Sequence, residues 1–426
     1  MTLSLARRAE RFPDRPAVVD VSEERLYAPA ETVHEDRVSY AELSRLAAET
    51  AARLSTLEVD AGDTVCLVTR NRVASLALLF ACRRLGATLA PISHLLTPVT
   101  VERPFDALEP EFVVAEAAQR DLVRSIPFDR SVTLEELAAV DPNDDPVTDA
   151  DDVAVGAGSD SATGGAERPL VCLHGEGGRP VVGYTARALE WNCITSLVAW
   201  GLSGTDVGTL TAPLSTVGGL VRTAFPLLYA GGRLLLDRAF DPGDALAAIE
   251  NERATVLVGR RSALRDLAAE SGFDDAVDSL ERVLADASVP DDVIAAYRKL
   301  DVPVARVYGR LECPIALCEP LKASSDDERT GEDTPVGYPA PDCRVCLVDE
   351  AGDVLEGAGT GRLQLAGPVL ADGYVDAPVE TGDRDAPDDR TDGRSDETGD
   401  RGDFVNGWFD TGRSVRRDVT GTYYVD

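Results

Sequence analysis

The chain has 426 residues, and its 75 acidic side chains against 42 basic ones give a formal net charge of −33. Apolar residues make up 44% of the sequence, enough for a large core, so a wholly disordered chain is excluded. A surface this acidic repels nucleic acid and anionic membranes, which excludes proteins that bind those polyanions. Only two basic residues are lysines, Lys299 and Lys322, and this composition is typical of proteins that stay in solution in concentrated salt.

The sequence shows no signal peptide and no membrane-spanning segment. Residues 1–16 contain no apolar core of signal-peptide length, and no stretch approaches about 18 uninterrupted apolar residues. Eight cysteines in so long a chain are too sparse for a disulfide scaffold and fit a reducing compartment. The sequence therefore predicts a cytoplasmic protein without a membrane span.

The first regular elements follow the N-terminal region. Ser39 and Glu42 have the spacing of a capping box, and apolar residues at helical intervals follow them. Residues 63–68 then read as a strand, 73–84 as an apolar helix and 87–91 as a second strand. A strand, a helix and a strand within about 30 residues form a βαβ unit, which predicts a parallel sheet.

The alternation continues through the middle of the chain. Strands are expected at 209–213, 232–236, 255–258, 283–284 and 304–308, with helices at 219–228, 244–252 and 291–300. Beyond Gly337 short strands with glycine-rich turns are expected at 344–348, 361–365 and 422–425. We therefore predict an α/β fold with two subdomains of mostly parallel sheet and a smaller β-rich subdomain near the C-terminus.

Two acidic segments divide this pattern. Residues 141–168 carry eight acidic side chains and residues 375–403 carry eleven, with few apolar residues in either. Both compositions are typical of solvated loops or linkers. The predicted domains are a first α/β subdomain over 1–168, a second over 169–335 and a β-rich subdomain over 336–426 that contains the acidic insertion.

A strand at Leu170–Leu173 runs into the glycine-rich segment 174–180, His-Gly-Glu-Gly-Gly-Arg-Pro. Such a turn can hold phosphates with its backbone N–H groups, or it can be an ordinary turn. The spacing of a P-loop and that of a dinucleotide fingerprint are both missing. His174 could act as a base, although an isolated loop histidine usually does not.

The segment Tyr308-Gly309-Arg310-Leu311-Glu312 follows a buried strand, where ligands of parallel sheets usually bind. Glu312 could ligate Mg²⁺ and Tyr308 could stack on a base, or Glu312 could be a solvated loop carboxylate. Cys343 and Cys346 have a C-x-x-C spacing, but their strand-like context places the two sulfurs on opposite faces. Buried, inert thiols therefore explain this pair better than zinc does.

The order of these segments resembles the large N-terminal domain of the adenylate-forming, AMP-forming acyl-CoA synthetases and ligases. The resemblance runs from Phe12-Pro13-Asp14-Arg15-Pro16-Ala17 to the last residue. It includes Ala212-Pro213-Leu214, Ala230-Gly231-Gly232, Gly337-Tyr338-Pro339 and Gly407-Trp408-Phe409-Asp410-Thr411-Gly412. No single segment is specific, and the fold expectation rests on their common order.

The resemblance implies a reaction and its ligands. In this family ATP and a small-molecule carboxylate give an acyl-adenylate and pyrophosphate, and coenzyme A then displaces AMP. By resemblance the catalytic and Mg²⁺-binding residue is Glu312. The implied nucleotide-binding residues are Gly175, Gly177, Gly178, Ala287, Ser288, Tyr308, Gly309 and Arg310, and the implied acyl pocket contains Ser215, Thr216, Gly218 and Gly219.

The chain departs from the family pattern at several of these positions. Where the family has a Ser/Thr-rich phosphate loop followed by Pro-Lys, this chain has Glu176 in the loop and Val181 after the proline. Leu311 replaces a threonine, and Arg413 replaces the ribose-binding aspartate. Arginine cannot accept the ribose hydrogen bonds, and a carboxylate at position 176 opposes a polyphosphate.

Two hypotheses of different classes remain open. One is a carboxylate-activating enzyme, impaired as a single chain and completed by a separate polypeptide, because the chain is expected to lack the family's lysine-bearing C-terminal domain. The other is a non-catalytic homologue that binds an acyl or nucleotide ligand, or is a subunit beside an active ligase. Three replaced motifs and the expected missing domain favour the second hypothesis for this chain by itself.

Overall fold

The computed structural model describes residues 3–22, 37–128, 130–142, 167–321, 334–375 and 402–425, whose strands pair into two sheets. The strands are β1 (Pro16–Asp20), β2 (Arg37–Ser39), β3 (Thr64–Thr69), β4 (Thr88–Ser93), β5 (Phe112–Ala115), β6 (Ser131–Thr133), β7 (Val171–His174), β8 (Val181–Tyr184), β9 (Val207–Thr209), β10 (Arg233–Leu236), β11 (Val256–Gly259), β12 (Arg282–Asp286), β13 (Val304–Tyr308), β14 (Leu317–Cys318), β15 (Thr334–Pro339), β16 (Arg344–Val348), β17 (Gly359–Ala366), β18 (Gly373–Tyr374), β19 (Asp403–Val405), β20 (Trp408–Arg417) and β21 (Tyr423–Val425).

Helices connect most of the parallel strands. The α-helices are α1 (Leu5–Arg11), α2 (Tyr40–Thr56), α3 (Val73–Leu85), α4 (Glu102–Leu108), α5 (Leu134–Ala138), α6 (Ala186–Trp200), α7 (Phe225–Ala230), α8 (Pro242–Glu252), α9 (Arg261–Ala269), α10 (Phe273–Ala276) and α11 (Asp291–Arg298). Among the helices of the described residues, none combines the length and the apolar character needed to cross a membrane.

The first sheet has the order β18-β8-β7-β4-β3-β5-β6. Its strands β3 to β7 run parallel, and β8 and β18 pair antiparallel at one end. The predicted βαβ unit is the centre of this sheet, where β3 and β4 pair with Cys66 opposite Ala90 and α3 connects them. Helix α3 ends at Gly86, whose φ of +72° supplies the left-handed residue that a helix stop requires.

The second sheet has the order β16-β17-β20-β21-β15-β14-β13-β12-β11-β9-β10-β1-β2, and β19 pairs with β20. Strands β1 and β9 to β13 form its parallel part, whereas β14 to β17 and β19 to β21 are antiparallel. Because β1 and β2 lie in the second sheet and β7 and β8 in the first, each sheet contains strands from both sides of residue 168. Sheet membership thus does not follow the three predicted domain ranges, and those ranges stay a prediction.

Local sequence signals account for several elements. Ser39 Oγ accepts from the Glu42 N–H and the Glu42 carboxylate accepts from the Ser39 N–H, which confirms the predicted capping box at the start of α2. The predicted bounds agree fully for β13 and β16. The two acidic segments, 141–168 and 375–403, lie almost entirely outside the described residues.

Two predicted elements were wrong in detail. The strand expected at 209–213 ends at Thr209, and the helix expected at 219–228 is a π-helix, Val217–Ala224, followed by α7. Pro226 has no N–H group to donate to the carbonyl four residues earlier, and the Thr223 hydroxyl donates to the Gly218 carbonyl at 2.8 Å. These two features favour the wider turn that periodicity alone does not reveal.

Candidate functional site

A cleft of about 1190 Å³ lies at the carboxyl ends of parallel strands from both sheets. Its walls are the turn after β7, the segments that follow β12 and β13, and part of β20. The structure brings these predicted site residues together in the cleft wall: Gly175, Gly177, Ala287, Ser288, Tyr308, Gly309, Arg310 and Glu312. The cleft is at the upper end of the size range of small-molecule sites, so it has room for a nucleotide and a second ligand.

The glycine-rich turn that forms one wall depends on close backbone packing. A Cβ atom at Gly175 would lie 2.5 Å from the Arg179 carbonyl oxygen, so only glycine fits there. Gly178 has a φ of +87° and packs against the Thr100 carbonyl, and it lies behind the turn rather than in the cleft wall. Gly178 therefore supports the turn, and its predicted nucleotide-binding role stays a prediction.

The carboxylate of Glu176 points into solvent at the tip of this turn. Its side chain is 91% exposed, and its Oε1 accepts from Arg260 Nη1 at 2.7 Å. Because both side chains are largely solvated, the pair adds little stability. Val181, at the family's lysine position, is fully buried in β8 and pairs with His174 across the sheet.

Glu312 lies at the base of the cleft and is 1% exposed. Its Oε1 accepts from the Tyr374 hydroxyl at 2.7 Å, and Arg310 Nε lies 3.4 Å from its Oε2. Within the described residues, Oε2 accepts no hydrogen bond. The solvated loop carboxylate that was the alternative for Glu312 is wrong, because the side chain is buried and held in place.

Tyr308 forms the neighbouring part of the wall. Burial raises the pKa of the Tyr308 hydroxyl, and the nearby Arg310 and Arg413 guanidinium groups offset part of that rise. The hydroxyl therefore stays protonated at neutral pH, and Tyr308 offers the cleft an uncharged aromatic ring. Arg413 is exposed and lines the same wall.

The donor set at Glu312 fits a magnesium ion held in part by a nucleotide. Proteins often bind Mg²⁺ through one or two carboxylates, with substrate phosphates and water completing the octahedron. Glu312 Oε2 is a buried carboxylate oxygen that accepts no hydrogen bond within the described residues. In the part of the chain that the structure describes, no group of three histidine, cysteine or acidic side chains could hold a metal ion. Phosphate oxygens would therefore supply further ligands.

The segment after β12 is fixed by an aspartate that the sequence reasoning did not select. Asp286 Oδ1 accepts from the Ser288 N–H at 3.1 Å and from its hydroxyl at 2.8 Å. Asp286 Oδ2 accepts from Arg222 Nη1 at 3.0 Å. An aspartate at the carboxyl end of a buried strand, and a single arginine within the apolar run 217–230, were the signals that could have revealed this pair.

The predicted acyl-pocket residues have different surroundings. Gly218 lines a second cavity of about 20 Å³ beside the cleft, whereas Ser215, Thr216 and Gly219 do not line it. The Thr216 hydroxyl accepts from the Gly219 N–H and caps the π-helix. Gly219 packs against the Pro213 carbonyl so closely that no side chain fits.

His174 has a structural position rather than that of a base. Its Nε2 accepts from the Ser93 N–H at 3.0 Å, and its Nδ1 donates to the Gly175 carbonyl at 2.7 Å. Burial lowers the pKa of His174, so the ring is neutral and both nitrogens are occupied. Cys343 and Cys346 also face different surroundings, since the sulfur of Cys343 lies 3.9 Å from that of Cys313 and Cys346 contacts Gln364. All eight cysteines are free thiols.

The chain is similar in sequence to a family of enzymes and to individual known proteins. The family model described as AMP-binding enzyme matches residues 5–375. The chain is 27% identical over 395 residues to feruloyl-CoA synthase of an Amycolatopsis species, an alignment that covers 91% of this chain and 73% of that protein.

Solved structures share the fold. The N-terminal domain of FACL13 from Mycobacterium tuberculosis has a TM-score of 0.78 at 20% identity, covering all of both chains. O-succinylbenzoate coenzyme A synthetase from Bacillus subtilis, in complex with ATP and magnesium ion, has a TM-score of 0.76 at 19% identity, covering all of this chain and 79% of that one. These likenesses confirm the predicted fold, the large N-terminal domain of adenylate-forming enzymes.

Proposed function

We propose, on the premise that this chain belongs to the AMP-binding enzyme family, that it activates a small-molecule carboxylate with ATP and that this step is impaired when the chain acts by itself. A carboxylate oxygen of the substrate attacks the α-phosphorus of ATP, and the bond from that phosphorus to the pyrophosphate leaving group breaks. Coenzyme A is the acceptor that the resemblance to acyl-CoA ligases implies for the second step, which releases AMP.

One observation carries the proposal. A single cleft joins the glycine-rich turn to the segment after β12 and the Tyr308–Glu312 segment, both of which lie more than 100 residues further along the chain. Backbone N–H groups of a glycine-rich turn suit phosphate oxygens, an aromatic ring suits a base, and a buried carboxylate suits Mg²⁺. The magnesium ion neutralises phosphate charge when bound, and Glu312 would hold it.

The impairment follows from three side chains. Glu176 places a negative charge at the tip of the turn, and Val181 is a buried aliphatic group where the family has lysine. Arg413 lies in the cleft wall where a ribose acceptor is expected, and a guanidinium group only donates. Binding of the nucleotide therefore depends on the backbone, Tyr308 and Glu312, and the lysine charge that the family places after the proline of the phosphate loop is replaced by an aliphatic group.

Exchange of labelled pyrophosphate into ATP tests the proposal. The assay is run in concentrated KCl with a panel of carboxylates, with and without a separately supplied lysine-bearing domain from a relative. We expect slow, carboxylate-dependent exchange that falls about 100-fold in Glu312→Gln, a loss of the size found when one electrostatic group is removed. Glu250→Gln, on the exposed face of α8, is the matched control and should keep the exchange rate.

A non-catalytic role is the second candidate. It is favoured by the surroundings of Glu312, whose carboxylate is bonded to Tyr374 and neighboured by the Arg310 charge. In that case the chain would bind an acyl or nucleotide ligand as a subunit beside an active ligase. Calorimetric AMP binding without exchange, under any combination of carboxylate and added domain, would select this candidate. If neither ATP nor AMP binds at millimolar concentration, the enzyme proposal is wrong.

A further inference from the structure

The second cavity lies beside the cleft and is lined by residues of β11, β12 and β13. Asp286 lines both the cleft and this cavity, so the two spaces are adjacent at this residue. A carboxylic acid whose carboxyl group faces the glycine-rich turn and Glu312 would place the rest of its acyl group here. The volume of about 20 Å³ is enough for one or two groups of the size of a water molecule.

The walls of the second cavity combine apolar surface with charged side chains, which are the Arg222–Asp286 ion pair and Arg260. Leu284 and Val307 contribute buried aliphatic side chains, and Trp200 contributes an indole that is 3% exposed. Within the described residues, the indole Nε1–H finds no acceptor. Arg222 and Asp286 are the charged pair, and their side chains are 10% and 25% exposed.

Arg222 fills space that an acyl chain would otherwise occupy. Its Nε donates to the Pro314 carbonyl at 2.7 Å, and its Nη1 donates to Asp286. A Cβ atom at Gly309 would come within 2.6 Å of its Nη2, so the guanidinium group lies directly against the backbone of the Tyr308–Glu312 segment. Three contacts, with β12 and with two positions of the loop after β13, fix the side chain, and the π-helix supplies the inward direction of residue 222.

The Asp286 carboxylate stays charged beside Arg222. Burial opposes ionisation of Asp286, but the Arg222 charge and the hydrogen bonds from Ser288 outweigh it, and the pKa of Asp286 is lowered. An acyl chain that displaced either side chain would leave the other as an uncompensated buried charge. Displacement is therefore costly, and the pair acts as a fixed wall.

We propose that Arg222 and Asp286 determine acyl specificity, restricting the substrate to short carboxylic acids of roughly two to four carbons and excluding medium-chain and bulky aromatic acids. The inference rests on the proposed function, because it assumes that the carboxyl group binds in the cleft. An acyl group ending in a hydrogen-bond acceptor fits best, since the Trp200 Nε1–H would gain a partner.

Binding of stable acyl-adenylate mimics tests this specificity without any turnover. The probes are adenosine 5′-sulfamate, its N-propionyl derivative and its N-octanoyl derivative, measured by calorimetry in concentrated KCl. We expect the protein to bind the propionyl compound about 100-fold more tightly than the octanoyl compound, the scale on which extra methylene groups are rejected by a closed pocket.

Two double variants separate size from charge. Arg222→Ala with Asp286→Ala removes the wall and both charges together, and it should lower the propionyl preference at least about tenfold by admitting the octanoyl chain. Arg222→Met with Asp286→Asn keeps most of the volume without the charges. Displacing an uncharged wall no longer leaves a buried charge unpaired, so the preference should fall, but by less than in the alanine double variant. A ratio of affinities is insensitive to a general loss of stability, and circular dichroism checks that each variant is folded.

The outcomes distinguish this inference from the proposed function. If adenosine sulfamate binds and the two acyl compounds bind the unchanged protein equally, the specificity inference is wrong while the nucleotide site stands. The same holds if the alanine double variant keeps the full preference. If no probe binds, including adenosine sulfamate, the proposed function fails and this inference fails with it.

Discussion

At the scale of single residues, Glu176 is an exposed side chain whose negative charge opposes phosphate binding by the glycine-rich turn. Glu176→Gln removes a carboxylate that is 91% exposed and leaves the Arg260 guanidinium group facing the turn. We expect ATP to bind about fivefold more tightly at low salt, because one unit charge near a phosphate in water is worth about 1 kcal/mol. Adenosine, which has no phosphate, should bind both forms equally.

The salt dependence is the control for this interpretation. In 1 M KCl the Debye length falls to about 3 Å, so the gain for ATP should largely disappear. A gain that persists in high salt, or that appears equally for adenosine, would mean that residue 176 acts through the shape of the turn. Calorimetric titrations with ATP and with adenosine, each at low salt and in 1 M KCl, distinguish the effect of charge from that of turn shape.

At the scale of elements, Glu116 at the end of β5 ties two strands of the first sheet together. It is 2% exposed and forms ion pairs with Arg70 and Arg72, which follow β3. Burial opposes its ionisation, but hydrogen bonds from Arg70 and Arg72 and their charges lower its pKa to about 2. Because this pKa lies below that of the unfolded chain, Glu116 stabilises the fold above about pH 4.5.

Glu116→Gln should therefore lower the free energy of unfolding by about 3 kcal/mol at pH 7, since it leaves two half-buried arginines without their buried carboxylate. The difference between the two proteins should shrink as the pH falls from about 4.5 towards 2, where the carboxylate of the unchanged protein takes up a proton. Urea unfolding of both proteins at several pH values measures this difference in free energy. A difference that stays constant down to pH 3 would contradict the lowered pKa, and Glu250→Gln should show no effect at any pH.

The sequence predicted elements wherever the signal is local. The capping box at Ser39, the βαβ unit around α3 and the bounds of β13 depend on residues close together in the chain. The π-helix was missed because the features that favour it, the missing N–H group of Pro226 and the Thr223 hydroxyl bond to the Gly218 carbonyl, leave no mark on hydrophobic periodicity.

At the scale of the whole molecule, the site was predictable in its segments and not in its contacts. The glycine-rich turn and the Tyr308–Glu312 segment could be found because both follow buried strands. The bond from Tyr374 to Glu312 and the pairing of Arg222 with Asp286 join residues 62 and 64 positions apart. Such contacts depend on the packing of separate elements, and one sequence does not reveal which elements meet.

The junction between the two sheets depends strongly on Asn71. Its Oδ1 accepts from the Leu214 N–H at 2.8 Å, and its Nδ2 donates to the Asp237 carbonyl at 3.0 Å. Asn71→Ala would leave both backbone groups without these partners, so we expect a loss of about 3 kcal/mol in the free energy of unfolding. Asn251→Ala, at an exposed position of α8, should change it by less than about 0.5 kcal/mol. Equal urea midpoints for the two variants would show that the junction does not depend on Asn71.

The net charge of −33 predicts how the whole molecule responds to salt. Carboxylates repel one another across a surface with few cations, and this repulsion favours the expanded chain. Screening shortens the Debye length from about 10 Å at 0.1 M to about 3 Å at 1 M, so the melting temperature should rise steeply over that range and level off above it. Thermal unfolding in KCl and in NaCl at equal ionic strength should give the same curve.

A melting temperature that keeps rising linearly to 3 M would instead indicate exclusion of salt from apolar surface, since that effect does not saturate with the Debye length. A flat response would contradict the repulsion itself, and it would mean that the arginines offset the acidic surface locally, as Arg70 and Arg72 do at Glu116.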